Sequence, residues 1–386
     1  MNSKNPKGMM SKALTCGVVG VLAVAIAPLL LTRLYELEQI SAEAIGIAIC
    51  IELIGMAVGS VVGAQVLGRG RTSGRIILAT LILAAANYAT PMGGDSWVFV
   101  ARLVAGLSGG ALIWVTITTI VRSTTPERWS GIYLSGHTAV QFLIATLIAA
   151  IIIPETGATG GYVLLAIISL LLIPVALTIP DIRPYTPTTQ VTESAYPAAT
   201  WPALLSIFAM NAMLMSVLSY AEIEFHHRGF SQEETLTLVP IILGAQIIGG
   251  LIAAYIAPRL PKMLFTIAIT GVLAGSLLYL NDAALTTTGL FLGVAVFGFC
   301  WLLIGPFHLG FLLQVSRSLQ AAELLAAAQL GGLAIGPLVG AMLLSENGYP
   351  PLNYHLALLG LSLVLLIFAY AIRSRTDMPA GMATTG

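Results

Sequence analysis

The sequence has 386 residues, 57% of them apolar and 9% charged, with a mean hydropathy of +0.93. Soluble domains carry about 25% charged residues, and 17 basic plus 17 acidic side chains cannot solvate the surface of a globular chain this long. With a net charge of zero, nothing points to a nucleic-acid partner.

Lys4, Lys7 and Lys12 precede an apolar run from Ala13 to Leu31. That run is too long for the apolar part of a cleaved leader and reads as a first span. Further apolar runs predict helices near 43–67, 76–93, 97–120, 131–153 and 160–179, the first covering 13–33. A second set is predicted near 202–223, 235–257, 263–280, 286–315, 319–344 and 353–372. Between them Asp181–Thr200, rich in proline and threonine, reads as a linker. The expected organisation is an all-α multi-pass membrane protein of twelve spans, with units at 1–180 and 201–386 joined by 181–200. Placing both termini in the cytoplasm puts fourteen of the 17 basic residues inside and leaves Arg33, Arg102 and Arg228 outside or embedded. This agrees with the positive-inside rule and with a bacterial-type inner membrane. An offset of 191 residues lays Ile151–Gly157 on Met342–Gly348, Glu155 falling on Glu346, as two equivalent halves would.

Ionisable groups inside such spans are costly, about 2.5–3.5 kcal/mol on insertion scales, and each is a candidate for function. Glu52 lies in the second span with Gly55, Gly59 and Gly63 on its face, a stripe that admits a neighbouring backbone. It reads either as a proton or cation carrier or as a hydrogen-bonded glutamate joining two helices. Arg102, in the fourth span, has Gly106, Gly109 and Gly110 on its face. Guanidinium stays charged, so it needs an acid, carbonyls or an anionic solute, or it snorkels outward. Its depth matches that of Glu52, and the two are expected to approach each other. His137 and Gln141, four residues apart in the fifth span, read as an interhelical hydrogen bond or a proton relay. Gly298, Trp301, Gly305 and His308 share one face of the tenth span, where Pro306 predicts a kink. Trp301 and His308 read as solute contacts or as ordinary packing, and Asn211 in the seventh span as a cavity group or an interhelical bond. Glu222, Glu224, His226 and His227 read as a solvated helix end rather than a metal site. The three cysteines have no CxxC spacing, and no cofactor or Walker motif is present.

Three stretches carry a resemblance. The loop Gly63–Arg75, GAQVLGRGRTSGR, is similar to a glycine-and-arginine loop at Gly63, Gly70 and Arg71, with Leu67 where an acidic residue is usual. ARLVAGLSGG (Ala101–Gly110) resembles a fourth-span motif of an arginine followed by small residues, here Gly106 and Gly110. GGLAIGPLVGA (Gly331–Ala341), with Gly336, Pro337 and Gly340, resembles an antiporter motif usually found in the fifth span. Together they resemble the major facilitator superfamily over nearly the whole chain. The resemblance implies two pseudo-symmetric six-helix bundles, alternating access, and spans one, four, seven and ten lining a central cavity. The expected function is secondary active transport of a small organic solute, coupled to an ion such as the proton, by a monomer in the bilayer. A facilitative uniporter, a membrane-embedded enzyme and a non-transporting sensor are the alternatives, and the lone arginine is read as suiting an amphipathic or anionic solute.

Overall fold

In a bilayer a spanning segment must satisfy its own backbone, which leaves helices for a chain of long apolar runs. The computed structural model describes residues 6–67, 71–182, 196–343 and 349–377, and its regular structure is helical throughout. Among the described residues, eleven helical runs are long and apolar enough to cross a membrane. The longest, Pro126–Leu177, has 52 residues, about 78 Å of helix at 1.5 Å per residue, well over twice a hydrocarbon core of about 30 Å. Gly157, at φ 67° and ψ −165°, interrupts it where only glycine takes such a backbone at low cost.

The first predicted span is divided. α1 (Pro6–Val21) gives way to a 3-10 turn (Leu22–Ala25) before α2 (Ala27–Glu36), because Pro28 has no N–H to continue the ladder. α3 (Ala42–Val66), α4 (Thr72–Ala89), α5 (Asp95–Val121), α6 (Pro126–Leu147), α7 (Ile153–Leu170) and the short α8 (Ile173–Leu177) follow. After the linker come α9 (Thr200–His227), α10 (Gln232–Leu236), α11 (Leu238–Ile256), α12 (Lys262–Leu280) and α13 (Thr287–Ser316). α14 (Leu319–Glu323), α15 (Leu325–Met342) and α16 (Leu352–Asp377) complete the fold.

Glycines set the closest helix pairs. A methyl on Gly106 or Gly110 of α5 would strike the main-chain carbonyl of Glu52 or Met56 on α3. The same approach recurs between α11 and α13, where Gly249 faces Phe299 and Gly298 faces Ile242. The two sides of the linker meet along α3 with α15 and along α6 with α11 and α13. One apolar core runs across that junction, from Leu53, Met56 and Ile117 to Ile207, Phe311 and Leu330. Arg69, Gly70, Glu346 and most of the predicted linker lie outside the described residues.

Candidate functional site

α3 and α5 bring Glu52 and Arg102 together. Arg102 is 0% and Glu52 2% exposed, and Arg102 Nη1 donates to Glu52 Oε1 at 3.2 Å. Arg102 Nη2 donates to Thr90 Oγ1 at 2.6 Å, Asn87 Oδ1 at 3.0 Å and the Ala86 carbonyl at 3.4 Å. Its Cζ lies 5.3 Å from the ring centre of Tyr162, close enough for a cation–π contact. Four helices of the first half, α3, α4, α5 and α7, thus enclose the guanidinium. Its donors are directed at protein acceptors, apart from an unpaired Nε. The sequence reading missed Asn87, Thr90 and Tyr162, although Asn87 is an amide directly following the apolar run Leu81–Ala86.

A second constellation forms where α1 breaks. Gln141 Nε2 donates to the Val21 carbonyl at 2.6 Å, and Gln141 Oε1 lies 3.3 Å from His137 Nδ1. The ring of His137 rests 5.0 Å from that of Tyr133. On α13, Trp301 is half-buried and edge-on to Phe297 at 6.0 Å. His308, further along α13, is 1% exposed and neither ring nitrogen has a hydrogen-bond partner. Leaving a buried polar group unpaired costs about 1–3 kcal/mol. Asn211 is buried on α9 with its Nδ2 donating to the Ile207 carbonyl of its own helix at 2.8 Å.

The halves are also tied by charge at one end. Glu323, at the close of α14, accepts from Arg122 Nη2 at 3.1 Å and from Trp114 Nε1 at 3.2 Å, both on α5. Lys262 at the start of α12 lies 3.5 Å from Glu127 at the start of α6. Both ion pairs sit at the end that carries the Arg71, Arg75 and Arg259 loops. Ile120, Val121, Leu312, Val315, Ala322 and Leu325 fill the space behind them. Deeper in the interface, Ser135 Oγ donates to the Ile247 carbonyl at 3.0 Å. Cys50 Sγ reaches the Ala334 carbonyl at 3.6 Å.

The motif residues take mixed positions. Gly63 packs on Trp114, and the exposed Arg71 precedes the first residue of α4. In α15, Tyr354 donates to the Gly336 carbonyl at 2.7 Å and Tyr220 to the Pro337 carbonyl at 3.0 Å. Gly340 lies beside Ser216 and Tyr220. At the far end of α9, Glu224 pairs with Arg228 at 3.8 Å and His227 rests on Tyr349. No group of three metal-ligating side chains occurs among the described residues.

A family model described as Major Facilitator Superfamily matches residues 9–320. Among solved structures, the chain is similar to the proton:xylose symporter XylE bound to 6-bromo-6-deoxy-D-glucose. That similarity has a TM-score of 0.74 and 13% identity, over 95% of this chain and 96% of that one. No curated protein sequence matches the chain significantly.

Proposed function

The chain belongs to the major facilitator superfamily, and from that premise we propose a proton-coupled secondary transporter that moves a small organic solute by alternating access. Two units of six crossings, 1–180 and 201–386, rock about the junction of α3 with α15 and α6 with α11. The twelfth crossing comes from Pro126–Leu177, divided at Gly157 into two antiparallel passes. Both termini and the 181–200 linker lie on the cytoplasmic side of an inner membrane, where the basic loops gather. The protein works as a monomer.

The observation that carries this reading is that the two ion pairs joining the halves share one end, backed by an apolar plug. Such a seal closes the cytoplasmic mouth while leaving the opposite mouth free to admit solute. Opening it exchanges a few charge-assisted bonds for water, which is the scale of free energy a solute or proton can bias. Glu52 is the proposed proton carrier, being the buried carboxyl among the described residues. Its contact with Arg102 would be the element whose protonation tilts the first half.

The test is flux in proteoliposomes with Arg122 and Glu323 replaced by cysteines, Cys16, Cys50 and Cys300 having been removed. A short bifunctional thiol reagent across that pair should stop solute uptake, and cleaving it should restore uptake. Undiminished flux in the bridged protein would overturn the reading.

A further inference from the structure

Resting on the reading that the Arg122–Glu323 contact closes one mouth, we infer that Asp181, at the root of the linker, is a positioning residue for that contact. Through Thr72, Leu67 and Gly63 it holds the indole of Trp114 against Glu323.

The path begins at the first turn of α4. Thr72 opens that helix, and Arg71 before it supplies no side-chain cap. The leading N–H groups of a helix need acceptors from outside it, and Asp181 Oδ1 accepts from the Thr72 N–H at 2.8 Å. The helix dipole favours a carboxylate at that end. The next residue closes the clasp. Ile182 N–H donates to Thr72 Oγ1 at 2.9 Å, and that hydroxyl donates in turn to the Leu67 carbonyl at 3.3 Å. Thr72 and Leu67 are both buried, so parting the clasp would strand polar groups away from water.

From Leu67 the path follows the last turn of α3. Leu67 N–H donates to the Gly63 carbonyl at 2.8 Å. Gly63 lies so close to α5 that a methyl there would stand 2.8 Å from Cβ of Trp114. Leu67, Ile76, Val115, Ile179 and Ile182 share one buried apolar cluster with Trp114, which seats the indole. Its N–H donates to Glu323 Oε2 at 3.2 Å, while Glu323 Oε1 accepts from Arg122 Nη2.

Both oxygens of one carboxylate from the second half are therefore held by α5. The two donors stand eight residues apart, about 12 Å along that helix, so Glu323 is gripped from two directions. An ion pair between long side chains tolerates rotation, whereas the rigid indole fixes a direction, and its seat depends on the clasp at Asp181. The chain leaves the first unit at this clasp, so a pull along the linker acts on Thr72 first. Asp181 itself is exposed and can be replaced without opening the core.

The test uses full-length protein in detergent, lacking its native cysteines, with one cysteine placed at Ile120 in the first half or Leu312 in the second. A small maleimide reports access to each. Asp181→Ala should raise labelling at both positions about three- to tenfold, the scale of one lost hydrogen bond, and Asp181→Asn, which keeps an acceptor oxygen, should raise it less. Trp114→Phe should raise labelling by itself, and Asp181→Ala should then add nothing, because the two act on one contact. Lys12→Ala removes the nearby bond to the Thr178 carbonyl without touching Thr72 and should label as the parent does. A merely structural loss at Asp181 would lower the melting temperature without reaching Leu312. Parental labelling in Asp181→Ala, an increase confined to Ile120, an effect additive with Trp114→Phe, or an equal increase in Lys12→Ala would overturn the inference. The surface variants decide the matter even if Trp114→Phe fails to fold. If Asp181→Ala labels like the parent while bridging Arg122→Cys to Glu323→Cys still stops flux, the transporter reading survives. If the bridge leaves flux intact while Asp181→Ala raises labelling at both positions, the positioning role survives instead.

Discussion

Removing Arg102 alone should cost more stability than removing it together with the charge of Glu52, its buried partner. In Arg102→Leu, Glu52 keeps its 2% exposure and loses its cation, while Asn87 and Thr90 lose a donor. Breaking a buried pair this way costs about 3–5 kcal/mol. In Glu52→Gln the guanidinium retains Asn87, Thr90 and the Ala86 carbonyl. The loss there is one hydrogen bond to a charged group, about 1.5–3 kcal/mol. The double variant Glu52→Gln, Arg102→Leu leaves no charge stranded and should recover part of the larger loss, giving a coupling of at least about 1 kcal/mol. Equilibrium unfolding in mixed micelles measures all three, with proteoliposome flux recorded in parallel. Flux in Glu52→Gln should fall to background while the protein still inserts. Single variants as stable as the parent, or strictly additive losses, would refute the reasoning that the pair is a closed electrostatic unit.

Glu323→Gln removes the anion shared by Arg122 and Trp114. It should raise thiol labelling of cysteines placed in the plug at Ile120 or Leu312 by several-fold. Gln141→Leu leaves the Val21 carbonyl without its side-chain donor. The loss of that hydrogen bond, about 0.5–1.5 kcal/mol, should lower the melting temperature measured in detergent. Gly110→Val drives a side chain into the Met56 main chain and should abolish folded expression. Gly136→Ala, which meets open space, should leave expression and melting temperature unchanged.

Much of the architecture was legible because a bilayer imposes long apolar runs and sends basic residues to one side. The approach of Glu52 and Arg102 was readable too, since both lie at one depth and each is followed by glycines that let α3 and α5 close on each other. The further partners of Arg102 were not: Asn87 in α4 and Thr90 just after it lie on neither α3 nor α5, and local periodicity says nothing about which helix comes third. The break in α1 was hidden for a similar reason. Pro28 announces an interruption, but the Val21 carbonyl finds its donor 120 residues away in Gln141. The ion pairs joining the halves were least visible. Position 323 falls inside the predicted span 319–344 and Arg122 counts only among the basic residues on one side, and their pairing across 201 positions exists only once the two halves meet.

The central claim, that two halves rock about a charged cytoplasmic gate, is tested most directly by pulsed electron–electron distance measurement. Spin labels would stand at the exposed Arg128 and Arg259, one on each half beside the gate, in protein lacking its native cysteines. The account predicts a short distance in the resting protein and a second, longer population when Glu323→Gln is introduced or solute is added. One distance, unchanged by either, would contradict it.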